Sequence, residues 1–251
     1  MQKIAMTALS VLLVACTPDP VIDASECGSG LTELEQAAGW RLLFDGSSLA
    51  QWRSFGEETV NEGWGIENGC LTRLGWGGDL ISREQFDDFE LKLEWRISDS
   101  GNSGIFIRAD ESGDAIHDTG MEMQVLDNAG HWDRFEPTHR AGAFYDMIEP
   151  DHDTSQPVGH WNRVHIIAHG PHVEFWLNDR KTAEFEQGSP AWLALKAESK
   201  FSDRPDWGER FTGHIGLQDH WDKVWYRNVR VLSVPAAAAG DQPQQTYGQL
   251  E

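Results

Sequence analysis

Hydrophobic and polar positions alternate with a period of two residues through the middle of the chain. In ELKLEWRIS (90–98) the residues Leu91, Leu93, Trp95 and Ile97 share one side, and charged residues occupy the other. This alternation is typical of a β-strand with one face on the core and one face in solvent. The same pattern recurs in SGIFIRA, WNRVHIIAHG, HVEFWLND, GHIGLQDH and VWYRNVRVLS. Many short strands of this kind predict an all-β antiparallel sandwich.

Two short segments depart from this pattern and predict helices. LTELEQAAG (31–39) contains Thr32 followed three residues later by Glu35, which is the pattern of a capping box. SPAWLALKAESKF (189–201) begins with Ser189 as a candidate cap and Pro190 in the first turn. We therefore expect one or two short helices beside the sheets.

Some strands carry an unusual second face. In TGMEMQVLD (119–127) an apolar side made of two methionines and a valine opposes Glu122 and Gln124. In GHIGLQDH, Gln218 and His220 share a face with Gly216, and in SGIFIRA the residue Arg108 lies opposite the isoleucines. Solvated strands have little use for glycines, which let a ligand approach the backbone. We interpret this face as the wall of a groove, and a plain solvated face is the alternative.

The N-terminus has the features of an export signal. MQKIAMTALSVLLVAC carries an early lysine and an apolar run that is too short to span a bilayer. The ending LVAC resembles a bacterial lipoprotein box, which predicts residues 1–15 as signal peptide and Cys16 as the lipidated residue. Because Thr17 rather than Asp follows, we expect an outer-membrane lipoprotein, facing the periplasm or the cell surface. A plain signal peptide cut elsewhere is the alternative.

The rest of the chain divides into three parts. Residues 16–38 contain the lipidated cysteine, a linker and the first short helix; residues 39–234 form one domain, and residues 235–251 are a low-complexity tail that we expect to be disordered. Cys27 and Cys70 remain as either a disulfide, which an oxidising periplasm would permit, or two free thiols.

The amino-acid composition limits which kinds of molecule the protein is expected to bind. The chain has 41 acidic and 20 basic residues and a net charge of −21, which argues against nucleic acid as a partner. The 12 tryptophans are compatible with stacking on sugars and equally with an ordinary sandwich core.

Several motifs in order resemble one known family. They are GWRLLFDGSSLAQW, WGIENGCLTR, GGDLIS, DFELKLEWRIS, GNSGIFIR, TGMEMQVLDNAGH, RAGAFYDMI, HWNRVHIIAHGPHVEFWLND and GHIGLQDHWDKVWYRNVRV. Together they are similar to the 3-keto-disaccharide hydrolase domain family, from about Gly39 to Val234. The resemblance implies a concanavalin A-like jelly roll whose concave sheet holds the site, with Glu122 and Gln124 lining it.

The resemblance also implies a substrate and a reaction. Family members are associated with glycosides that a separate dehydrogenase has first oxidised at C3 of the sugar. The ketone acidifies the proton on C2, and loss of that proton allows the oxygen on C1 to leave. Hydration of the product then gives net hydrolysis. Such a site needs a base, an acid and a group that stabilises the enolate.

We assign these roles on the resemblance. Glu122 or His220 is the expected base and the other the acid, and Arg108 is the expected enolate-stabilising group. The expected substrate-binding residues are Gln124, Gln218, Asn102, Asp127, His131, Tyr145, Trp76 and Trp132.

Structural roles compete with several of these assignments. Arg108 and Glu122 could form a purely structural ion pair, His131 could be an ordinary loop residue, and both Trp76 and Trp132 could be structural. Lys200 could reach the site, but we expect it to cap the second helix.

Ten histidines raise the question of a metal. His165 and His169 share a strand face about 13 Å apart, too far to bind one ion, so we expect them and His172 to be surface residues. A divalent cation at Glu122, His220 or Asp127 would suit an enolate, but the sequence does not rank it against Arg108.

Three other functions remain open. A conventional glycosidase needs two carboxylates across the bond, and Gln124 stands where a second acid would be expected beside Glu122. A carbohydrate-binding module would need aromatic and amide groups but no base, and a scaffold domain would need neither.

Overall fold

A computed structural model describes residue 27 and residues 30–234. It contains two short α-helices and thirteen strands, with three turns of 3₁₀ helix. The helices are α1 (Glu33–Ala38) and α2 (Pro190–Glu198). The strands are β1 (Arg41–Leu42), β2 (Trp52–Ser54), β3 (Trp64–Glu67), β4 (Cys70–Arg73), β5 (Leu80–Phe86), β6 (Phe89–Ile97), β7 (Asn102–Ala109), β8 (Met121–Leu126), β9 (Asn162–His169), β10 (His172–Leu177), β11 (Arg180–Glu186), β12 (Gly213–Leu217) and β13 (Val224–Ser233).

The strands form two antiparallel sheets. The larger sheet has eight strands in the order β11-β10-β9-β6-β13-β4-β3, with β1 also paired to β13. The smaller sheet has five strands in the order β2-β5-β12-β7-β8. The prediction of an all-β antiparallel sandwich with short helices is confirmed.

The main core contains the apolar sides that the alternation predicted. The β6 residues Leu91, Leu93 and Trp95 are buried in it, as are Met121 and Met123 of β8. Burial of such side chains stabilises the fold by roughly 1.5–3 kcal/mol each. The opposite face of β8 is therefore turned away from this core, which leaves it free to form a site.

Local sequence explains both helices. The Thr32 side chain accepts a hydrogen bond from the Glu35 backbone N–H, and the Glu35 side chain accepts one from the Thr32 backbone, so the predicted capping box forms. Gly39 ends α1 in the left-handed region at φ 92°. Ser189 caps α2 by accepting a hydrogen bond from the Trp192 backbone N–H at 3.2 Å.

A disulfide joins Cys27 to Cys70 of β4, with a Cα–Cα distance of 5.1 Å. Of the two alternatives that the sequence left open, the structure has the bonded one. A bridge that closes a loop of 43 residues stabilises a fold by about 4 kcal/mol in the chain-entropy treatment.

No helix within the described part of the chain combines the length and the apolar character needed to cross a membrane. The predicted signal segment, Cys16 and the predicted tail from residue 235 lie outside the described residues.

Candidate active site

A pocket of about 560 Å³ opens on the face of the five-stranded sheet that is turned away from the main core. Its volume lies within the roughly 300–1,000 Å³ that is usual for small-molecule sites. We call it the Glu122 pocket. It is lined by Asp79, Asn102, Ala115, His117, Glu122, Gln124, Trp132, Asp133, His139, Tyr145, Lys200, Gln218, Asp219, His220 and Trp221.

Glu122 is the buried carboxyl of this pocket. It projects from β8 opposite Phe106 of β7, and a Cβ on the neighbouring Gly104 would lie 2.2 Å from its Oε1 atom. Gly104 therefore makes room for the carboxyl group. Within residues 30–234 no hydrogen-bond donor reaches this carboxyl. Burial raises the pKa of Glu122 to about 8, and the charge of Lys200 acts in the opposite direction.

Lys200 contributes the cation of the pocket. It follows α2, and its backbone N–H donates a hydrogen bond to Asp146 Oδ2 at 2.6 Å, while its Nζ lies 4.0 Å from the centroid of the Tyr145 ring. Removal from water lowers the pKa of Lys200, and the nearby Glu122 opposes that shift. Our expectation that Lys200 caps the helix instead of reaching the site was wrong.

His139 and Tyr145 form the wall beside this pair. The His139 ring is held between Asp133 Oδ1 at 2.8 Å and Asp146 Oδ1 at 3.1 Å, and it stacks on Tyr145 at 4.2 Å. Since a stacked ring covers one face of Tyr145, the Lys200 ammonium occupies the other. Tyr145 lines the pocket as predicted, but it offers a ligand its hydroxyl rather than a free ring face. Burial raises the pKa of this hydroxyl.

Two further carboxyl groups come from the loops after β4 and β12. Asp219 accepts hydrogen bonds from Arg73 and from the backbone N–H groups of Gly77 and Gly78. Asp79 accepts one from the backbone N–H of Asp219 at 2.9 Å. Burial, with the neighbouring charge of Asp219, raises the pKa of Asp79 to about 6.

Amide side chains supply the polar groups that could orient a ligand. Asn102 Oδ1 and Gln218 Oε1 are buried and have no hydrogen-bond partner within residues 30–234. Gln124 Oε1 accepts a hydrogen bond from the Val125 backbone N–H at 3.0 Å, which leaves its NH₂ group for a ligand. Unpaired buried polar atoms are costly, and a hydroxyl-rich ligand would satisfy them.

Aromatic rings and His220 complete the pocket. The His220 ring is half-buried and lies edge-on to the Trp221 ring at 5.2 Å. Trp132 is exposed and packs against His131 at 5.5 Å between ring centroids. The structure therefore brings seven of the predicted residues together in one pocket: Glu122, His220, Gln124, Gln218, Asn102, Tyr145 and Trp132.

Arg108 does not lie in the pocket, which corrects our prediction for it. Its backbone adopts φ 54°, and the pairing of β12 with β7 shifts register nearby, so the simple alternation of β7 ends before this residue. Its guanidinium instead donates to Gln187 Oε1 and, at 2.6 Å, to the Gly170 carbonyl. Burial lowers the pKa of Arg108 to about 10. The alternative of an Arg108–Glu122 ion pair is also wrong.

Three other predicted residues lie outside the pocket lining. Asp127 accepts hydrogen bonds from the backbone N–H groups of Ser100 and Ala129, at 2.8 and 3.0 Å, and thereby shapes its loop. His131 Nδ1 accepts one from the Asp133 backbone N–H at 3.1 Å, and burial lowers the pKa of His131. Trp76 does not line the pocket, but its ring stacks on the ring of Trp221, which does line it.

Gly216 serves a different purpose from the one that we predicted. A Cβ at this position would lie 2.1 Å from Ile116 Cδ1, so the space belongs to a small apolar cluster formed by Ile81, Phe106, Ala109 and Ile116. Phe106 lies directly opposite Glu122 in the β7–β8 pairing, so the cluster packs on the same face of the sheet as the pocket.

One group of possible metal ligands lies outside the Glu122 pocket. Among the described residues, His172, Glu174 and Glu184 of β10 and β11 place three potential ligand atoms within 4.8 Å of one another. Lys181 Nζ already bonds to both of these glutamates, at 3.2 and 2.6 Å. The prediction of a divalent cation at Glu122, His220 or Asp127 stays a prediction.

Sequence reasoning missed residues that reach the pocket from loops and from turns of 3₁₀ helix. They are Asp79, Ala115, His117, Asp133, His139, Asp219 and Trp221. Asp219 and Trp221 are the sequence neighbours of the predicted His220, so the sequence could have indicated them as site residues. The other missed residues belong to segments in which no regular spacing links them to a predicted site residue.

These observations define a class of protein, which is a β-sandwich with a carboxyl-, amide- and tryptophan-lined pocket on one outer sheet face. Residues 39–232 match the model of the 3-keto-alpha-glucoside-1,2-lyase-like domain, so the chain belongs to that family. A 3-keto-disaccharide hydrolase from Bacteroides thetaiotaomicron is 35% identical over 228 residues, which cover 78% of each chain.

Solved structures agree with this assignment. A candidate glycosyl hydrolase from Parabacteroides distasonis ATCC 8503 is 31% identical, with a TM-score of 0.78, over 82% of this chain and 99% of its own. A Bacillus subtilis protein of unknown function with a galectin-like fold has a TM-score of 0.51 at 13% identity, over 82% of this chain and 96% of its own. The second likeness supports the jelly-roll fold alone.

Proposed function

We propose that this chain cleaves 3-keto-glycosides in the Glu122 pocket by removing the proton at C2 and expelling the oxygen at C1. The observation that carries the proposal is a buried carboxyl whose pKa is raised to about 8, with the Lys200 cation nearby. A base of this strength suits a proton that a neighbouring ketone has acidified. Membership of the family and the similarity to a 3-keto-disaccharide hydrolase support an enzyme that acts on glycosidic bonds.

The elimination uses three side chains. Glu122, as the carboxylate, takes the proton from C2, and the electrons of that bond move to the C3 oxygen to give an enolate. Lys200 takes the stabilising role that Arg108 is too remote to play, because its positive charge faces the developing oxyanion. When the ketone re-forms, the C1–O bond breaks and His220 donates a proton to the leaving oxygen.

Hydration completes the reaction. Water adds across the C1–C2 double bond, with its hydroxyl group going to C1, while protonated Glu122 returns a proton to C2. The remaining proton of the water molecule restores His220. The products are the free leaving group and a 3-keto sugar, which amounts to hydrolysis.

The amides are proposed to hold the sugar. Asn102 Oδ1 and Gln218 Oε1 lack partners within the described region and would accept hydrogen bonds from sugar hydroxyls. A hexose with a ketone at C3 keeps several such donors, so the binding would satisfy atoms that are otherwise unpaired.

A paired assay tests the proposal. The purified domain is incubated with a glucoside and with the 3-keto derivative of the same glucoside, and release of the leaving group is followed. We expect release from the ketone alone and, in deuterated water, deuterium at C2 of the product. Release from the parent glucoside at a similar rate would overturn the elimination, and deuterium at C2 would show in addition that the proton on Glu122 exchanges with solvent before it is returned. A parallel reaction with a chelator decides whether a divalent cation is needed.

Conventional hydrolysis is the second candidate, and one observation favours it. Asp79 and Glu122 are two carboxyl groups in one pocket, with pKa values raised to about 6 and about 8. Such a difference is typical of an acid and base pair in a glycosidase. Cleavage of unoxidised glycosides that is lost in both Asp79→Asn and Glu122→Gln would establish this alternative.

The proposal includes the location of the enzyme. The lipoprotein box ending at Cys16 supports an outer-membrane lipoprotein, in the periplasm or at the cell surface. Metabolic labelling with a palmitate analogue should label the wild type and not Cys16→Ala, and the wild type should fractionate with the outer membrane. A labelled Cys16→Ala variant would contradict this assignment.

The reaction also requires a supplier of its substrate. A glycoside carries a hydroxyl at C3, so an oxidation of that carbon must come first. We therefore propose that a separate sugar 3-dehydrogenase acts upstream. The test is whether the domain releases the leaving group from an unoxidised glucoside only after such a dehydrogenase and its electron acceptor are added.

A further inference from the structure

Two exposed tryptophans lie beside the Glu122 pocket. Trp76 is 71% exposed and Trp221 is 66% exposed, and their rings stack at 6.2 Å with an interplanar angle of 15°. We call this pair the tryptophan shelf. Exposed indole rings contribute little to folding, and an exposed apolar patch commonly marks a binding surface.

The backbone of Trp221 supports a functional reading. Trp221 adopts φ 65°, in the left-handed region that is unfavourable for a bulky side chain. Backbone strain of this kind persists only where surrounding contacts enforce it, and it concentrates at functional sites. A glycine would adopt the same conformation without strain, but it would supply no ring.

The contacts that hold the shelf in place are buried. The Asp219 side chain is fully buried and accepts hydrogen bonds from Gly77, Gly78 and Trp221 backbone N–H groups at 2.9, 3.1 and 3.2 Å. It thereby ties the loop that carries Trp76 to the loop that carries Trp221. Arg73 provides the charge that balances this carboxylate.

A close backbone contact fixes the Trp76 loop from its other side. A Cβ on Gly63 would lie 2.3 Å from the Gly77 backbone nitrogen, so only glycine permits this approach. Trp64 Nε1 donates a hydrogen bond to the Gly78 carbonyl at 2.8 Å, and Asn61 Nδ2 donates one to the Gly77 carbonyl at 3.0 Å. The loop is therefore held rigidly while its indole ring stays in solvent.

We infer that the tryptophan shelf binds the leaving group of the substrate and favours glycosides whose leaving group is a sugar ring. This inference rests on the proposed cleavage of 3-keto-glycosides. Trp221 lines the pocket, and its ring lies 5.2 Å from the ring of His220, the proposed donor to the leaving oxygen. The group attached to that oxygen would therefore extend over the shelf. A sugar ring presents an apolar face that stacks on indole, which a methyl group cannot do.

The test compares two substrates that differ in the leaving group. They are the 3-keto derivative of methyl glucoside and the 3-keto derivative of a glucose disaccharide. For Trp221→Ala we expect kcat/KM to fall about tenfold more with the disaccharide than with the methyl glycoside, mainly through KM. Trp76→Ala should show a smaller effect in the same direction. Leu34→Ala removes a side chain that is 83% exposed on α1 and should change neither value. Equal losses with both substrates would overturn the inference.

A binding experiment separates this inference from the cleavage proposal. Calorimetric titration of both 3-keto compounds into Glu122→Gln and into the double variant with Trp221→Ala does not depend on turnover. Disaccharide binding that weakens about tenfold more than methyl glycoside binding supports the shelf even when the wild type cleaves neither compound. Equal weakening, or no disaccharide binding to Glu122→Gln, contradicts it.

Thermal unfolding provides an independent check. Because the backbone of Trp221 is strained, Trp221→Gly should unfold at a higher temperature than Trp221→Ala while losing the same preference for the disaccharide. A glycine variant that is no more stable than the alanine variant would show that Trp221 is held without strain, and the argument from backbone conformation would fail.

Discussion

The outer faces of the two sheets differ in whether their charged side chains have partners. On the larger sheet charges meet partners across neighbouring strands: Lys181 bonds to Glu174 and Glu184, and His165 Nε2 lies 2.8 Å from Glu90. On the smaller sheet the Glu122 carboxyl has no donor within residues 30–234, and the Lys200 ammonium rests on the Tyr145 ring.

The size of a depression does not separate the two faces. A cavity of about 420 Å³ lies on the outer face of the larger sheet, lined by paired charges that include Glu94, Arg163 and His165. Charged groups that are paired and exposed to solvent keep ordinary reactivity, whereas a buried carboxyl without a partner has a shifted pKa that suits proton transfer. The burial and pairing of the charged groups, more than the shape of the surface, identify the site.

The largest effect is expected from Glu122→Gln. Loss of a general base should lower kcat/KM by about 10²- to 10⁴-fold, measured with a 3-keto-glycoside. Glu186→Gln is the matched control, because Glu186 pairs with His172 on the opposite sheet and should be dispensable. Full activity in Glu122→Gln would remove this carboxyl from the mechanism.

Replacement of Lys200, the cation of the pocket, should cause the second-largest loss of activity. Lys200→Met should lower kcat/KM by about 10²-fold, since the oxyanion loses its positive charge. It should also raise the pKa of Glu122 further, so that the pH–rate profile shifts to higher pH. Lys181→Met, on the other face, should do neither. A Lys200→Met profile with an unchanged midpoint would show that the two groups do not interact.

Gly104→Ala should have an intermediate effect. The added methyl group would meet Glu122 Oε1 at 2.2 Å, so the carboxyl must move and kcat/KM should fall about tenfold. The free energy of unfolding should fall by about 1–3 kcal/mol. Gly30→Ala, where a Cβ meets nothing within 4 Å, is the control for adding a methyl group. Unaltered kinetics in Gly104→Ala would mean that the carboxyl position is not critical.

The pH dependence of stability should also distinguish the pocket. Glu122 has a pKa of about 8 in the folded chain against an ordinary value of 4.5, so the unfolded chain loses its proton first as the pH rises. The wild type should therefore lose stability relative to Glu122→Gln between about pH 4.5 and pH 8, by up to about 1.4 kcal/mol per pH unit. Above pH 8 the difference should stay constant. Denaturant unfolding at several pH values measures it, and parallel curves for the two proteins would contradict the raised pKa.

The same pKa governs activity in the proposed mechanism. Because a base must be ionised, kcat/KM should rise with pH through a limb centred near pH 8, and this limb should be absent in Glu122→Gln. A limb that falls rather than rises near pH 8, and that Glu122→Gln abolishes, would instead indicate that Glu122 acts as the acid and His220 as the base.

The smallest effect is expected on the larger sheet. Asp179→Asn removes an exposed ion pair with Arg163 and should change the free energy of unfolding by less than about 1 kcal/mol. Activity should be unchanged, as measured in the same assay. A marked loss of activity would mean that the paired face also takes part in function.

Much of the architecture could be predicted from the chain alone. The period-two alternation of ELKLEWRIS and TGMEMQVLD assigned the correct faces of β6 and β8, because a strand that buries one face must alternate. The same logic brought Glu122, Gln124 and Gln218 to one pocket, since β8 and β12 flank β7 in one sheet and Gln218 directly follows β12.

The rule failed where the backbone departs from regular strand geometry. Arg108 sits at a positive φ beside a register shift, so its side chain leaves the face that alternation assigns. Lys200 and Asp79 reach the pocket from loops and His139 from a turn of 3₁₀ helix, and no local pattern encodes where such a segment will fold back onto a sheet. Their positions depend on tertiary contacts such as the bond from the Lys200 backbone to Asp146.

The bridge between Cys27 and Cys70 has a consequence for how the enzyme would be presented at a membrane. It fastens Cys27 to β4, a strand of the larger sheet, whereas the Glu122 pocket opens on the outside of the smaller one. With an acyl anchor at Cys16, the eleven residues to Cys27 could reach at most about 40 Å. In the proposed lipoprotein such a tether would join the domain on the side of the larger sheet, so the mouth of the Glu122 pocket could face the surrounding medium, where diffusing glycosides would enter without meeting lipid.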